Sequence, residues 1–337
     1  MNAPRRNWFE QRRFGDILVR VDTAALGDTL PWHALDRIAR LALEQGARIS
    51  LVDVLDAVPP ELAGDPLARR LAAHAARRAR ERLDALAAPL AGLATPHIEV
   101  FSGIPFLVTT RLVLRRGHDL VVHLTRSTAA RAGLGADDRH LARKCPCPVW
   151  VMDAACDRPY RNVVVAVEAA CADGADGLDG FALQLSQTAA LFAALDNAAV
   201  HVIHAWQPYG AALLDEPALG LDGRSRAAYV ARQRACHRAS LAAVCNALDE
   251  RTAGAARAWL VDGPADEVIP HRLAELDADL LVMGTVAGGN TPGLFIGNTA
   301  ENILGRITIP VLVLKPPGFE SPVRLLPPRP ARAEVTT

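Results

Sequence analysis

Asp279-Leu-Leu-Val-Met-Gly284-Thr-Val-Ala287-Gly288-Gly289-Asn290-Thr-Pro-Gly293-Leu-Phe-Ile-Gly297-Asn298-Thr299-Ala-Glu301-Asn302-Ile303-Leu304 passes from an apolar run of strand length, through a glycine-rich loop, into a helical segment. Parallel strands buried on both faces read as such short apolar runs. Glycines straight after a strand let backbone come close to a ligand and permit positive φ. A helix opening at Asn298-Thr299 offers free N–H groups and the positive end of its dipole to an anion. Together they make a candidate phosphate site. The same residues also suit a tight crossover loop that holds nothing.

Outward from this stretch, strand and helix alternate twice over. Strands are predicted at Asp16–Asp22, Arg48–Val54, His97–Ser102, Asp119–Leu124 and Pro148–Met152. They are predicted again at Asn162–Glu168, Ala199–Trp206, Ala256–Val261, Asp279–Met283 and Pro310–Leu314. Trp32–Glu44 carries Leu35, Ile38 and Leu41 at helical spacing. A long helix is predicted from Pro66 to Ala88, with Asp65 as its N-cap. Gly180–Leu195 and Ser225–Leu248 are further helices, and Gly103-Ile-Pro105 and Gly263-Pro264 open two more. Gly103 and Asp119 stand 16 residues apart, as do Gly263 and Asp279. Asp119 to Pro148 and Asp279 to Pro310 are 29 and 31 residues. The same landmarks at the same spacing indicate an internal duplication. Each copy reads as a doubly wound α/β domain with a mainly parallel sheet, whose ligand lies beyond the carboxyl ends of the strands where their order switches. The expected division is an arm over 1–13, domains over 14–155 and 156–318, and a Pro-rich tail over 319–337 without periodicity.

Composition narrows the function classes. The 337 residues are half hydrophobic, enough for two cores, and 37 basic residues balance 37 acidic ones. Bulk electrostatic binding to nucleic acid or to an anionic membrane is therefore not expected. The opening residues lack an apolar secretory segment, and no apolar run has the length of a membrane span. A cytoplasmic protein is the expectation. Of the six cysteines only Cys145 and Cys147 are close, and C-P-C is not the C-x-x-C redox or zinc spacing, so reduced thiols are expected.

Ala278–Gly284, Phe295-Ile-Gly297-Asn298-Thr299-Ala-Glu301 and Ile309-Pro310-Val-Leu-Val-Leu-Lys315 together resemble the universal stress protein family. Arg143-Lys144-Cys145-Pro146, followed by Pro148-Val149-Trp150, resembles the end of the first domain in that family's tandem, long-chain form. The resemblance covers about residues 14–317 and implies two Rossmann-like domains in one chain, packed pseudo-symmetrically through Val149–Met152 and Val311–Leu314. It also implies a non-catalytic stress-response factor, with ATP or another adenine nucleotide in the second domain and no metal beyond the nucleotide's magnesium. Nucleotide-binding members carry a Gly-x2-Gly-x9-Gly-Ser/Thr motif. Gly284 and Gly297 match its ends, whereas Ala287 holds the middle glycine's place with Gly288 one residue late, and Asn298 holds the Ser/Thr place with Thr299 after it. Asn298 still offers an amide donor and can cap a helix. Val167, Glu168, Ala205 and Met283 complete the implied nucleotide contacts: Glu168 stands where an acidic residue faces base or ribose, and Ala205 where a small residue packs on adenine.

The first copy departs from the motif. After its fourth strand it reads Leu124-Thr125-Arg126-Ser127-Thr128, with no glycine at the strand end. It is expected to be a structural partner, with Arg126 and Arg131 as solvated loop residues or anion contacts. No Gly-x-Ser-x-Gly elbow and no Walker lysine motif occurs. His201 and His204 should point to opposite faces of their strand, which argues against a shared metal. The Pro208–Arg224 insertion holds four leucines and reads as a packed loop or a lid over an apolar ligand. The alternative to a nucleotide is thus a scaffold or carrier whose pocket holds a small apolar ligand or nothing. A homodimer is a further expectation.

Overall fold

The computed structural model describes residues 14–26, 30–90, 96–125, 133–169, 180–248, 256–285 and 297–325. The first half contributes β1 (Asp16–Val21), β2 (Arg48–Leu55), β3 (His97–Ser102), β4 (Leu120–Thr125) and β5 (Val149–Asp153). The second contributes β6 (Asn162–Ala166), β7 (Ala199–Trp206), β8 (Ala256–Asp262), β9 (Leu280–Gly284) and β10 (Val311–Leu314). They form one sheet in the order β3-β2-β1-β4-β5-β10-β9-β6-β7-β8. All neighbours pair parallel except β5 and β10, which run antiparallel with Trp150 opposite Leu312. The two copies therefore join through their last strands, as the tandem layout predicted. Strand order switches between β1 and β4 and again between β6 and β9, so each half has a cleft at the carboxyl ends there.

The helices α1 (Thr23–Leu26), α2 (Trp32–Gln45), α3 (Pro66–Ala87), α4 (Pro105–Arg116) and α5 (Ala136–Lys144) belong to the first half. The second has α6 (Gly180–Ala194), α7 (Gly223–Asn246), α8 (Ala265–Glu275) and α9 (Asn298–Leu304). The Asp65 carboxylate accepts from the N–H groups of Leu67 and Ala68, which satisfies the first turn of α3. Each sheet face carries its own apolar cluster. Val19, Leu51, Val165 and Val202 lie on one side, and Leu18, Val121, Val164 and Leu281 on the other.

The duplicated landmarks have duplicated jobs. Asp119 accepts from the N–H groups of Gly15 and Asp16, and Asp279 from those of Arg161 and Asn162, so each aspartate sets the start of its half's first strand. Gly103 and Gly263 both have positive φ and both donate to the end of the neighbouring strand, at Leu55 and Trp206. A Cβ on Gly263 would come within 2.5 Å of Val268, so only glycine fits this turn.

Beside the strand pairing, the halves are locked by aromatic and charged contacts. Trp150 meets the edge of Phe192 with centroids 4.7 Å apart. Arg37 lies 3.7 Å over the Tyr160 ring and donates to Asp196, which also accepts from the Tyr160 N–H. Arg37 and the Asp196 side chain are each 1% exposed, so the pair is fully buried.

Two sequence expectations need correction. The 208–224 insertion is not packed: Tyr209, Leu213, Leu219 and Leu221 are exposed, and α7 already begins at Gly223. Leu214 alone of its four leucines is half-buried. Cys236 is disulfide-bonded, whereas Cys145, Cys147, Cys156 and Cys245 are free thiols. Cys171 lies outside the described residues. Among the described residues no helix is long and apolar enough to cross a membrane.

Candidate functional site

The second half's cleft is built from the ends of β6, β7 and β9. Ala166 pairs with Met283 on one side and Ile203 on the other. Ala166, Ala205 and Met283 consequently face the same side of the sheet and give the cleft a small, apolar floor. Val167 is buried and donates its N–H to Ile203, continuing the ladder past β6, and Glu168 follows it half-buried.

The glycine stretch is anchored at both ends. Thr285, straight after Gly284, donates its N–H to Leu314 and accepts from the N–H of Gly297 at 3.1 Å. The loop therefore leaves and returns at one point, and α9 starts directly over the end of β9. Gly297 is the N-cap and Asn298 the first helical residue, so the expected capping role of Asn298 falls to Gly297 instead. Asn298 and Thr299 are exposed at the first turn. A Cβ on Gly297 would meet nothing within 4 Å among the described residues. Ala287 and Gly288 lie outside the described residues.

Two contributors escaped the sequence reading. Thr285 is 1% exposed, and its hydroxyl has no partner among the described residues. Its place directly after Gly284 was the only signal. Ala166 stands two residues before Glu168 on the same face, which strand parity could have shown. His204 is buried on the face of β7 opposite Ala205. It contacts the Val167 carbonyl at 3.2 Å and His237 at 2.9 Å, and so steadies the backbone that carries Glu168. Burial pushes its pKa down to about 4, which keeps it neutral at neutral pH. His201 points the other way, toward Asn162 and Trp259. No three metal-ligating side chains converge among the described residues. Lys315 is buried at the end of β10, where its ammonium donates to the Ala142 carbonyl, away from the glycine stretch. Arg126 and Arg131 lie outside the described residues.

A family model described as the universal stress protein family matches residues 13–153 and 159–315. This chain belongs to the universal stress protein family. Its two matched segments are the two halves of the sheet. It is similar to universal stress protein E of Salmonella typhi and of Escherichia coli K12, at 27% identity over 67% of this chain and 70% of each relative. The crystal structure of a putative universal stress protein from Pseudomonas aeruginosa UCBPP-PA14 shares the fold. Its TM-score is 0.57 at 23% identity, covering 90% of this chain and 94% of that one. An Archaeoglobus fulgidus universal stress protein superposes with TM-score 0.55 at 14% identity, covering 89% and 98%.

Proposed function

We propose that this chain is a cytoplasmic, non-catalytic stress-response factor whose second domain binds an adenine nucleotide, ATP first among them. The observation that carries this reading is the strand–helix unit closed by the Gly297 N–H to Thr285 carbonyl bond, set above the Ala166, Ala205 and Met283 floor. The buried Thr285 hydroxyl and the exposed first turn of α9 fit a phosphate chain, and the alanines leave room for a flat base. Glu168 would accept from ribose hydroxyls, and Gly284 and Gly288 would let backbone approach the phosphates, with magnesium arriving on the nucleotide. Domain limits of 14–155 and 156–318 go with this reading. Occupancy would bias the packing of the two domains, or of a homodimer, because α9 touches the first half at its other end: Leu304 accepts from the Leu134 N–H.

Calorimetry with ATP, ADP and AMP on the full chain tests it. Saturable heat that disappears in Gly297→Val supports the reading, and no heat at high micromolar nucleotide defeats it. The exposed Leu213, Leu219 and Leu221 favour a second reading, a carrier for a small apolar ligand. Native mass spectrometry of the purified protein, with a retained apolar adduct that ATP does not displace, would favour that alternative.

A further inference from the structure

The first half also has a cleft at its switch point, and its chemistry differs. A cavity of about 270 Å³ is lined by residues at the ends of β1, β2 and β4 and at the first turns of α4 and α5. Its charged residues form a connected set. Arg20 pairs in the sheet with His123, as Ala166 does with Met283 in the other half. Its Nη2 lies 2.8 Å from Nε2 of His123 and pairs with the Asp137 carboxylate. Nδ1 of His123 lies 2.5 Å from Asp138, which suits a neutral ring donating to Asp138 and accepting from Arg20. Arg20 is 4% exposed, yet its Nη1 has no partner among the described residues. A buried guanidinium N–H left unpaired is costly, and a ligand acceptor would relieve that cost.

Two of the N–H donors a phosphate would use are already taken. Asp137 accepts from the Phe106 N–H at the start of α4, and Asp138 from the Gly135 N–H at the start of α5. Carboxylates therefore stand where an anion would sit, and Asp22 and Asp53 add to the negative lining. A cation is opposed from the other side, because the group short of a partner is itself cationic. A hydroxyl resolves both demands, since it accepts from Arg20 and donates to a carboxylate. Asp22 is exposed at the rim. Its Oδ1 accepts from the Ala25 N–H, and its other oxygen has no protein donor among the described residues. Thr125 adds a hydroxyl to the lining.

The geometry points to a binding site in the first domain for a small neutral polyhydroxyl ligand of monosaccharide size, recognised by Arg20 and by the carboxylates around it. This site is separate from the nucleotide cleft of the second domain and stands or falls independently of it.

The test uses the full chain labelled with ¹⁵N-histidine, with the His123 signals assigned through His123→Asn. D-ribose, D-glucose, myo-inositol and inorganic phosphate are titrated separately to tens of millimolar. The expected result is a saturable shift of the His123 imidazole nitrogens with at least one polyol, none with phosphate, and no movement of His204. Arg20→Met removes the recognising group but risks the fold, so Asp22→Asn at the exposed rim serves as the second variant. Losing one hydrogen bond there weakens the polyol about fivefold. A His123 response to phosphate alone overturns the proposal in favour of an anion site. No response to any of the four overturns it in favour of a water-filled cleft. ATP added to the same sample reports on the second cleft through His204, so the two readings fail separately.

Discussion

The two clefts lie at equivalent ends of equivalent sheets, yet one is filled with charge and the other is lined with small apolar groups. Where the first half has Arg20 paired with His123, the second has Ala166 paired with Met283. Where α5 opens with Gly135, Ala136, Asp137 and Asp138, α9 opens with Gly297, Asn298, Thr299 and Ala300. The first cleft supplies its own anions to its own helix starts, and its arginine then balances them. The second leaves Asn298 and Thr299 exposed above an apolar floor. A duplicated scaffold thus holds either an internal ion-pair network or room for an external anion, because both would use the same N–H groups.

Breaking the first network should give the largest effect. Asp138→Ala strands a buried arginine and histidine and should cost about 3 kcal/mol in urea unfolding at pH 7. Burial alone would raise the Asp138 pKa, but the hydrogen bond from His123 and the charge of Arg20 hold it below the ordinary carboxylate value. Its contribution is therefore present above the unfolded pKa and is lost as pH falls through the depressed folded value. The gap between wild type and Asp138→Ala should close in strong acid. A gap that persists there would mean the cost is packing, not charge.

The next position sharpens the contrast by pH. Asp53 follows Val52, the partner of Arg20, and His204 follows Ile203, the partner of Ala166, so they are counterparts. For His204 the unfolded chain takes a proton near 6.5, and the folded chain resists until about 4. Stability should fall by about 3 kcal/mol as pH drops across that window, and the fall should flatten in His204→Asn. Burial raises the Asp53 pKa, so its contribution runs the other way, with stability falling as pH rises through the carboxylate range. Urea midpoints at closely spaced pH values measure both, and equal slopes in wild type and His204→Asn would refute the assignment.

Converting the second cleft toward the first is a smaller perturbation. Ala300→Asp buries a carboxylate with neither arginine nor histidine opposite it and should cost about 2 kcal/mol. By placing like charge beside the phosphates it should also weaken ATP at least about tenfold. Unchanged ATP heat in this variant would separate the nucleotide from the glycine stretch. Gly297→Ala should be the mildest for the fold. Its φ is negative and a Cβ meets nothing within 4 Å among the described residues, so stability should change by less than about 0.5 kcal/mol. Nucleotide affinity should nevertheless drop, and unaltered calorimetry would mean that Gly297 is there for the loop alone.

The repeat was legible because strand alternation, Pro-started last strands and the Gly-to-Asp spacing all depend on local geometry, which spacing preserves. Gly103 and Gly263 were readable as landmarks for the same reason: each turn needs a positive φ and no Cβ. Gly284, Gly297 and the start of α9 were legible as a strand–loop–helix unit. The Thr285 hydroxyl and the His204–His237 contact were not, since neither residue type nor spacing tells which side of a sheet has a helix above it. The exposed leucines of the insertion were misread because apolar composition marks a place that can be buried, not one that is.

The sequence by itself determined two doubly wound copies and a second copy with glycines at a strand end. Those follow from periodicity and backbone freedom, which are properties of short segments. Only the tertiary structure decided that Arg20, His123, Asp137 and Asp138, scattered along the first copy, meet in one buried network. The reason is that parallel register brings β1 against β4, and the return of the chain then sets α5 on top. Charges far apart in the chain carry no local signature of their pairing, so the first copy looked empty until its strands were laid side by side.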